Sequence, residues 1–257
     1  KHQPISPRAK QAIIELQKRG ILFGLASGRG IKQLRLLETQ WDMDCDVLIG
    51  GNGAELYDGI TKETECLFSM KKEWIKELLD FMKRWECNPF CYFHDDKILY
   101  RDYDDMMKRS IASSNREGIQ VKDESKFYEE ENAKMMFRMK EELTPVVEKY
   151  LEEHPFEFYK GFKTQATLME FMDKRCSKGY TLRKLCEQYD IDIEDVVAYG
   201  DTTNDNEMLM EAGLGVCLKN GSDDTKAIAD ESTEFGWMED GFAKHVEKRL
   251  MPIIENR

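Results

Sequence analysis

Hydrophobic positions in the first sixty residues alternate between helical spacing and short continuous runs. Ser6-Pro7 supplies a hydroxyl cap followed by proline at the first helical position, and Gly20 supplies a stop signal. The apolar runs at 21–26 and 47–49 predict parallel strands that are buried on both faces. Helices are predicted before and between these strands from the spacing of Ala9, Ala12, Ile13 and Leu16, and of Ile31, Leu34 and Leu37.

The same rhythm returns between residues 174 and 257. Apolar runs at 196–199 and 214–218 predict two further buried strands. Helical spacing is found before and between them, at Leu182, Leu185, Cys186 and Tyr189, and at Met208, Leu209 and Ala212. Strands that alternate with helices indicate an α/β fold with a Rossmann-like parallel sheet covered by helices.

The middle of the chain, 62–173, has a different pattern and is richer in charged and aromatic residues. Half-exposed strands are predicted at 90–94, 98–101, 135–139 and 168–172, and helices at 72–85 and 143–154. We therefore expect an α+β domain, with an antiparallel sheet that has one solvated face, inserted into a core made of 1–61 and 174–257. A junction between two such domains is a common place for a small-molecule site.

Composition narrows the function classes. The 257 residues include 38 Lys or Arg and 50 Asp or Glu, for a formal net charge of -12, which disfavours binding to nucleic acids or anionic membranes. No apolar run approaches the ~18 residues of a membrane span. The seven cysteines contain no Cys-x-x-Cys pair and the four histidines lie far apart, which indicates a cytoplasmic protein with reduced thiols and no zinc site.

Two loops that follow predicted strands carry polar groups suited to an anion or a cation. Ligands of open α/β sheets bind beyond the carboxyl ends of the strands, so these loops are expected to face one crevice. Ser27-Gly28 offers a hydroxyl and backbone N–H groups for an anion, although Ser27 is equally an ordinary helix cap. Gly200-Asp201-Thr202-Thr203-Asn204-Asp205 offers carboxylate and amide oxygens, the ligands that Mg²⁺ prefers, and capping accounts for Asn204 but not for Asp201.

Lys178 is a third candidate, because it opens a predicted helix where a cation is mildly disfavoured. A bound anion would reverse that effect, and the alternative is an exposed lysine in water. Arg29 and His94-Asp95-Asp96 are weaker candidates for substrate contact. The first is also explained by an ion pair and the second by a polar hairpin turn.

Taken in order, these motifs resemble the haloacid dehalogenase-like phosphohydrolase superfamily, specifically its Cof-type members with a large α/β cap. The matching pieces, which span nearly the whole chain, are Ile5-Ser6-Pro7, Ala26-Ser27-Gly28-Arg29, Gly51-Asn52-Gly53-Ala54, Ser177-Lys178-Gly179, the stretch from Gly200 to Leu209, and Gly215-Val216 with Asn220 and 227–230. The resemblance implies that the inserted domain is a cap that closes over substrate and supplies selectivity.

The resemblance also implies roles for individual residues. Ser27, Gly28 and Asn204 would contact the phosphoryl group, and Lys178 would stabilise its charge and orient the nucleophile. Asp201 would hold Mg²⁺, and Asp205 would support the metal site or the lysine. Asn220 would border the same site.

One part of the family pattern has no counterpart in this sequence. The family opens with a strand that ends in Asp-x-Asp, whose first Asp is the nucleophile and whose second is the general acid/base. Asp42-Met43-Asp44 and Asp190-Ile191-Asp192 have the spacing, but each precedes a strand and so lies at the wrong edge of the sheet. We therefore expect the nucleophile upstream of Lys1, within about 15–20 further residues that form one strand and its loop.

These observations favour a Mg²⁺-dependent phosphatase that acts on small phosphorylated metabolites, such as sugar or cofactor phosphates, through an aspartyl-phosphate. A phosphomutase or phosphotransferase would use the same core. A non-catalytic phosphate-ligand binder is the alternative if the chain begins at Lys1. We expect a monomer or a weak homodimer that binds neither nucleic acid nor membrane.

Overall fold

The computed structural model describes residues 5–93, 97–114 and 116–255. The chain divides into two compact units. The first unit contains the residues up to Leu67 together with those from Cys176 onward, and the second unit contains Phe68–Arg175. The candidate residues His94, Asp95 and Asp96 lie outside the described residues.

The first unit contains two sheets flanked by helices. Its strands are β1 (Gly24–Ala26), β2 (Val47–Gly50), β3 (Glu55–Asp58), β4 (Thr64–Cys66), β11 (Val197–Gly200), β12 (Leu214–Cys217) and β13 (Glu231–Ser232). Its helices are α1 (Pro7–Lys18), α2 (Ile31–Trp41), α6 (Lys178–Tyr189), α7 (Asn206–Glu211), α8 (Asp223–Ile228), α9 (Gly241–His245) and α10 (Met251–Glu255). One π-helical segment, Val246–Leu250, joins α9 to α10.

Both sheets contain parallel pairs, as the apolar runs predict, but the residues of β1 are exposed or half-buried and not buried on both faces as expected. Strand β1 pairs in parallel with β2, and β11, β12 and β13 form a parallel three-stranded sheet. The strands β3 and β4 extend the first sheet as an antiparallel hairpin, which was not predicted. Because β4 pairs with β3, the segment 62–67 lies in the first unit, whereas the sequence assigned it to the insertion.

Hydrophobic contacts unite the two sheets of the first unit. Ala26, Val47 and Ile49 of the first sheet pack in one cluster with Ala198 of β11 and with Leu182 and Leu185 of α6. The side chain of Ser6 caps α1 by accepting a hydrogen bond from the N–H of Ala9, at 3.0 Å, as the Ser-Pro signal predicts.

The second unit is built on a six-stranded sheet in the order β7-β6-β5-β8-β10-β9. The strands are β5 (Cys87–Phe93), β6 (Lys97–Tyr100), β7 (Glu117–Gln120), β8 (Met135–Met139), β9 (Tyr159–Gln165) and β10 (Leu168–Asp173). The helices are α3 (Lys72–Met82), α4 (Asp105–Ser114) and α5 (Thr144–Glu153).

Two expectations for this sheet are corrected by the structure. The sheet is mixed, because β6 and β7 pair in parallel while the other pairs are antiparallel. One solvated face was expected, but every residue of β10 is buried, and hydrophobic clusters pack against both faces of the sheet. Met107 of α4 packs with Phe90 and Met136, and α4 was missed by the sequence pattern because only one of its apolar side chains is fully buried.

Candidate functional site

The loops that follow β1 and β2 are joined by backbone hydrogen bonds. The N–H of Ser27 donates to the carbonyl of Ile49 at 2.9 Å, and the N–H of Asn52 donates to the carbonyl of Ser27 at 2.9 Å. A side chain at Gly28 would lie 3.0 Å from Oδ1 of Asn52, so the absence of a Cβ permits the loops to approach. Asn52 is therefore placed beside Ser27 and Gly28.

The turn after β2 is also packed against the start of α6. Gly53 has φ +102°, and a Cβ at this position would lie 2.1 Å from the carbonyl oxygen of Ser177. The hydroxyl of Thr181, which is fully buried, donates to the carbonyl of Gly53 at 2.8 Å. Only glycine fits here, and its contact fixes the first turn of α6, which carries Lys178.

Lys178 and Asp205 form a buried ion pair. Nζ of Lys178 lies 2.6 Å from Oδ1 of Asp205, and the two residues are 4% and 6% exposed. The second oxygen of Asp205 accepts hydrogen bonds from the N–H groups of Asp201, at 3.0 Å, and Thr202, at 3.2 Å. Both oxygens of Asp205 are therefore occupied by the lysine and by the backbone of the loop after β11.

Asn204 connects this loop to the turn after β2. Its Nδ2 donates to Oδ1 of Asn52 at 3.0 Å, and its Oδ1 accepts from the hydroxyl of Thr202 at 2.6 Å. Asn52 therefore contacts both polar loops that the sequence singled out. Its role was missed in the sequence, although a left-handed Asn in a Gly-Asn-Gly turn after a strand, here with φ 59°, was an available signal.

Asp201 is the candidate metal ligand whose carboxylate is least committed. Its Oδ2 accepts one long hydrogen bond, 3.5 Å, from Nδ2 of Asn220. Burial and the neighbouring charge of Asp205 raise the pKa of Asp201, so a cation beside this carboxylate would be favoured. Within 5–93, 97–114 and 116–255, no three acidic, histidine or cysteine side chains converge on one metal position.

The carboxylate of Asp201 fits a magnesium ion that has one protein carboxylate as ligand, because Mg²⁺ commonly keeps several waters and takes other ligands from substrate phosphate. Asp205 stays a predicted support of the metal site or the lysine: its Oδ1 contacts Lys178, and its Oδ2 accepts from the N–H groups of Asp201 and Thr202. Arg29, a weaker candidate, is exposed. Ser27 is half-buried, and its Oγ accepts a hydrogen bond from the N–H of Arg29 at 3.2 Å.

The family model for haloacid dehalogenase-like hydrolases matches residues 1–245. The chain belongs to this family. This match confirms the predicted family and fold class. It also confirms the prediction that the protein is an enzyme of a phosphatase family.

Among the described residues, no helix has the length and apolar character needed to cross a membrane.

Individual relatives resemble the chain over most of its length. The 5-amino-6-(5-phospho-D-ribitylamino)uracil phosphatase of Bacillus subtilis is 27% identical over 183 residues, which are 70% of this chain and 67% of that protein. A haloacid dehalogenase-like hydrolase from Bacteroides thetaiotaomicron superimposes with a TM-score of 0.81 at 23% identity, covering 95% of this chain and 92% of its own. A sugar phosphatase of subclass IIB of the same superfamily gives a TM-score of 0.75 at 21% identity, with coverages of 95% and 91%. The two solved structures support the shared fold.

Proposed function

We propose that this member of the family is a Mg²⁺-dependent phosphatase that hydrolyses monoesters of small phosphorylated metabolites. The observation that carries the proposal is the buried Lys178–Asp205 pair, which a hydrogen bond from the backbone N–H of Asp201 holds next to that residue. A buried lysine with one carboxylate partner keeps donor capacity for a second anion. A phosphoryl group next to Asp201 is the anion that this charge arrangement would favour when Mg²⁺ is bound.

The residues of the first unit have distinct roles in this proposal. Lys178 neutralises charge on the phosphoryl oxygens, and Asp205 holds the lysine in position. The hydroxyl of Ser27 and the backbone N–H of Gly28 donate to the same oxygens. Asn204, whose side chain is hydrogen-bonded to Asn52, contacts the phosphoryl group from the loop after β11. Fixed donors of this kind stabilise the charge of the transition state without reorganising during the reaction.

Asp201 would hold the Mg²⁺, which when bound supplies positive charge to the phosphoryl oxygens. The nucleophile in this proposal is the aspartate that the family pattern places before Ile5-Ser6-Pro7. Its attack on phosphorus forms a new P–O bond, breaks the ester P–O bond and releases the leaving group as the protonated alcohol. Water then hydrolyses the aspartyl-phosphate to inorganic phosphate, regenerates the carboxylate and returns the proton that the alcohol took up.

The proposed partners are small phosphorylated metabolites. The names of the relatives, a phosphoribitylamino-uracil phosphatase and a sugar phosphatase, show that the leaving group varies within the family. The inserted unit, Phe68–Arg175, is in this proposal a cap that selects the substrate. The remaining expectations are a cytoplasmic monomer or weak homodimer that binds neither nucleic acid nor membrane.

The test compares two acidic residues of the same unit in the full-length protein. Asp201→Asn is expected to abolish Mg²⁺-dependent hydrolysis of an aryl phosphate and to remove the rise in melting temperature that Mg²⁺ gives. Asp223→Asn removes a fully exposed carboxylate on α8 and is expected to change neither. Undiminished turnover in Asp201→Asn would refute the metal assignment, and transfer of phosphate to a sugar instead of release to water would favour a phosphomutase.

A further inference from the structure

The segment from Phe235 to Gly241 forms a tightly closed turn. The carbonyl of Gly236 accepts hydrogen bonds from the N–H of Glu239, at 3.1 Å, and from that of Gly241, at 2.9 Å. Asp240 has φ 61°, and a Cβ on Gly241 would lie 2.0 Å from the carbonyl oxygen of Phe235. These contacts fix the backbone of the turn, and with it the points from which its side chains project.

The two aromatic residues of this turn have different environments. The Nζ of Lys244 lies 3.7 Å from the centre of the Phe235 ring, and the hydroxyl of Thr233 donates to the carbonyl of Phe235 at 2.6 Å. Trp237 is 50% exposed and belongs to none of the hydrophobic clusters that the described residues form. Phe235 therefore anchors the turn, while Trp237 contributes little to the folded core.

Hydrogen bonds connect Trp237 to the candidate site. Its backbone N–H donates to Oδ1 of Asn220 at 2.9 Å, and the amide nitrogen of Asn220 reaches Oδ2 of Asp201 at 3.5 Å. The side chain of Asn220 therefore links the backbone of Trp237 to the carboxylate of Asp201, which is proposed to hold Mg²⁺. A flat apolar surface next to a phosphoryl site suits the part of a substrate that does not react.

We propose that Trp237 is a specificity-determining residue that stacks on a flat heteroaromatic ring in the leaving group of the substrate. This inference rests on the proposed phosphatase function and narrows its substrates to phosphomonoesters that carry such a ring. A ring that stacks equally well in the bound substrate and in the transition state contributes to KM and to kcat/KM and leaves kcat unchanged.

The experiment compares two phosphomonoesters that share a 5-phosphoribosyl group. Uridine 5′-monophosphate carries a flat ring, and ribose 5-phosphate does not. In the full-length protein, Trp237→Ala is expected to raise KM for uridine 5′-monophosphate by about 3- to 10-fold, which corresponds to one aromatic stacking contact, and to leave KM for ribose 5-phosphate unchanged. Trp237→Phe is expected to restore most of the loss because it retains a ring.

Leu36→Ala is the matched control, because Leu36 is also 50% exposed but lies on α2. This variant is expected to change neither KM. An equal rise in both KM values for Trp237→Ala would overturn the proposal, because it would mean that the residue only supports the turn. Unchanged KM values would overturn it as well.

Indole fluorescence separates this inference from the proposed function. Uridine 5′-monophosphate is expected to quench emission in the wild type and not in Trp237→Phe, whereas ribose 5-phosphate is expected to quench neither. If the wild type hydrolyses neither ester but the uridine-specific quenching is present, the phosphatase function fails and the ring site stands. If uridine 5′-monophosphate gives no quenching, the ring site fails whatever the hydrolytic activity.

Discussion

Nζ of Lys178 lies 2.6 Å from Oδ1 of Asp205, and both residues are almost completely buried. The pair joins the first residue of α6 to the loop after β11, which are 27 positions apart in the sequence. We expect both the stability and the activity of the protein to depend on this contact, and substitutions at the two residues distinguish the two effects.

Removing the charge from one partner is expected to destabilise the protein strongly. Lys178→Met leaves a buried carboxylate without its cation, which typically costs about 3–5 kcal/mol in the free energy of unfolding. The double variant Lys178→Met/Asp205→Asn is expected to recover most of this loss, since two neutral side chains of similar size replace the pair. Urea unfolding of the single and double variants measures the difference.

Activity is expected to behave differently from stability in the same variants. Turnover of an aryl phosphate should fall by several powers of ten in Lys178→Met and should not return in the double variant, because the cation is absent in both. Recovered activity in the double variant would show that Lys178 acts only as a structural partner of Asp205.

A second prediction concerns Gly53, at the contact between the turn after β2 and α6. Gly53→Ala would place a Cβ 2.1 Å from the carbonyl oxygen of Ser177, so the turn must move away from Lys178. Gly20→Ala is the control, because Gly20 also has positive φ but nothing lies within 4 Å of its Cβ position. The control should cost only the conformational strain, about 1–2 kcal/mol, whereas Gly53→Ala should cost more and also lower kcat. Equal losses of stability and activity in both variants would contradict the proposed contact.

Stability is expected to depend on pH through Asp58, at the start of the β3–β4 turn. Burial by itself would raise the pKa of Asp58, but hydrogen bonds to its carboxylate outweigh burial and lower it from the ordinary value of 3.8. The N–H groups of Ile60, at 2.7 Å, and Thr61, at 3.0 Å, are among the donors. A lowered pKa means that the ionised group stabilises the fold above its unfolded-state pKa, and that this stabilisation is lost as the pH falls through the folded-state pKa.

The corresponding variant is Asp58→Asn. At pH 7 it is expected to lose about 1 kcal/mol of unfolding free energy relative to the wild type, and this difference should shrink below pH 4 as the wild-type carboxylate becomes protonated. Unfolding by urea at pH 7 and pH 3 provides the measurement. A difference that stays constant with pH would indicate that the effect does not come from the charge.

A fourth prediction concerns the hydrogen bonds that link Tyr199, His245 and Glu231 in the first unit. The hydroxyl of Tyr199 lies 2.8 Å from Nδ1 of His245, and Nε2 of His245 lies 3.1 Å from Oε2 of Glu231. Burial raises the pKa of the Tyr199 phenol, in keeping with a hydroxyl that stays protonated. The histidine therefore ties α9 to strands β11 and β13.

His245→Leu is expected to cost about 1–3 kcal/mol in unfolding free energy, because it leaves the hydroxyl of Tyr199 without this partner. The double variant with Tyr199→Phe should recover part of the loss, since both polar groups are then removed. His154→Leu, at an exposed histidine of the second unit, should change the unfolding midpoint little. A loss in His245→Leu that Tyr199→Phe does not reduce would indicate that packing, and not the hydrogen bond, is responsible.

Local signals in the sequence were sufficient for many elements and for several site residues. The Ser6-Pro7 cap and the spacing of Ala12, Ile13 and Leu16 predict α1, and the run at 135–139 predicts β8 with the bounds that the structure has. These predictions succeed because helix capping and the spacing of hydrophobic residues depend on only a few neighbouring positions. Ser27, Lys178 and Asp201 could be selected for the same reason, since each follows a strand or opens a helix.

Tertiary structure decided what those residues contact. The bond between Asn52 and Asn204 joins residues 152 positions apart, so the Gly-Asn-Gly turn could single out Asn52, but no local pattern could identify its partner. The sequence left Asp205 open as support for the metal site or for the lysine, and its two oxygens contact Lys178 and the backbone of its own loop. The sequence alone thus determined the elements and the residue types at their ends, because those depend on near neighbours. The partners of each charge depend on packing between distant segments, and only the folded chain brings those segments together.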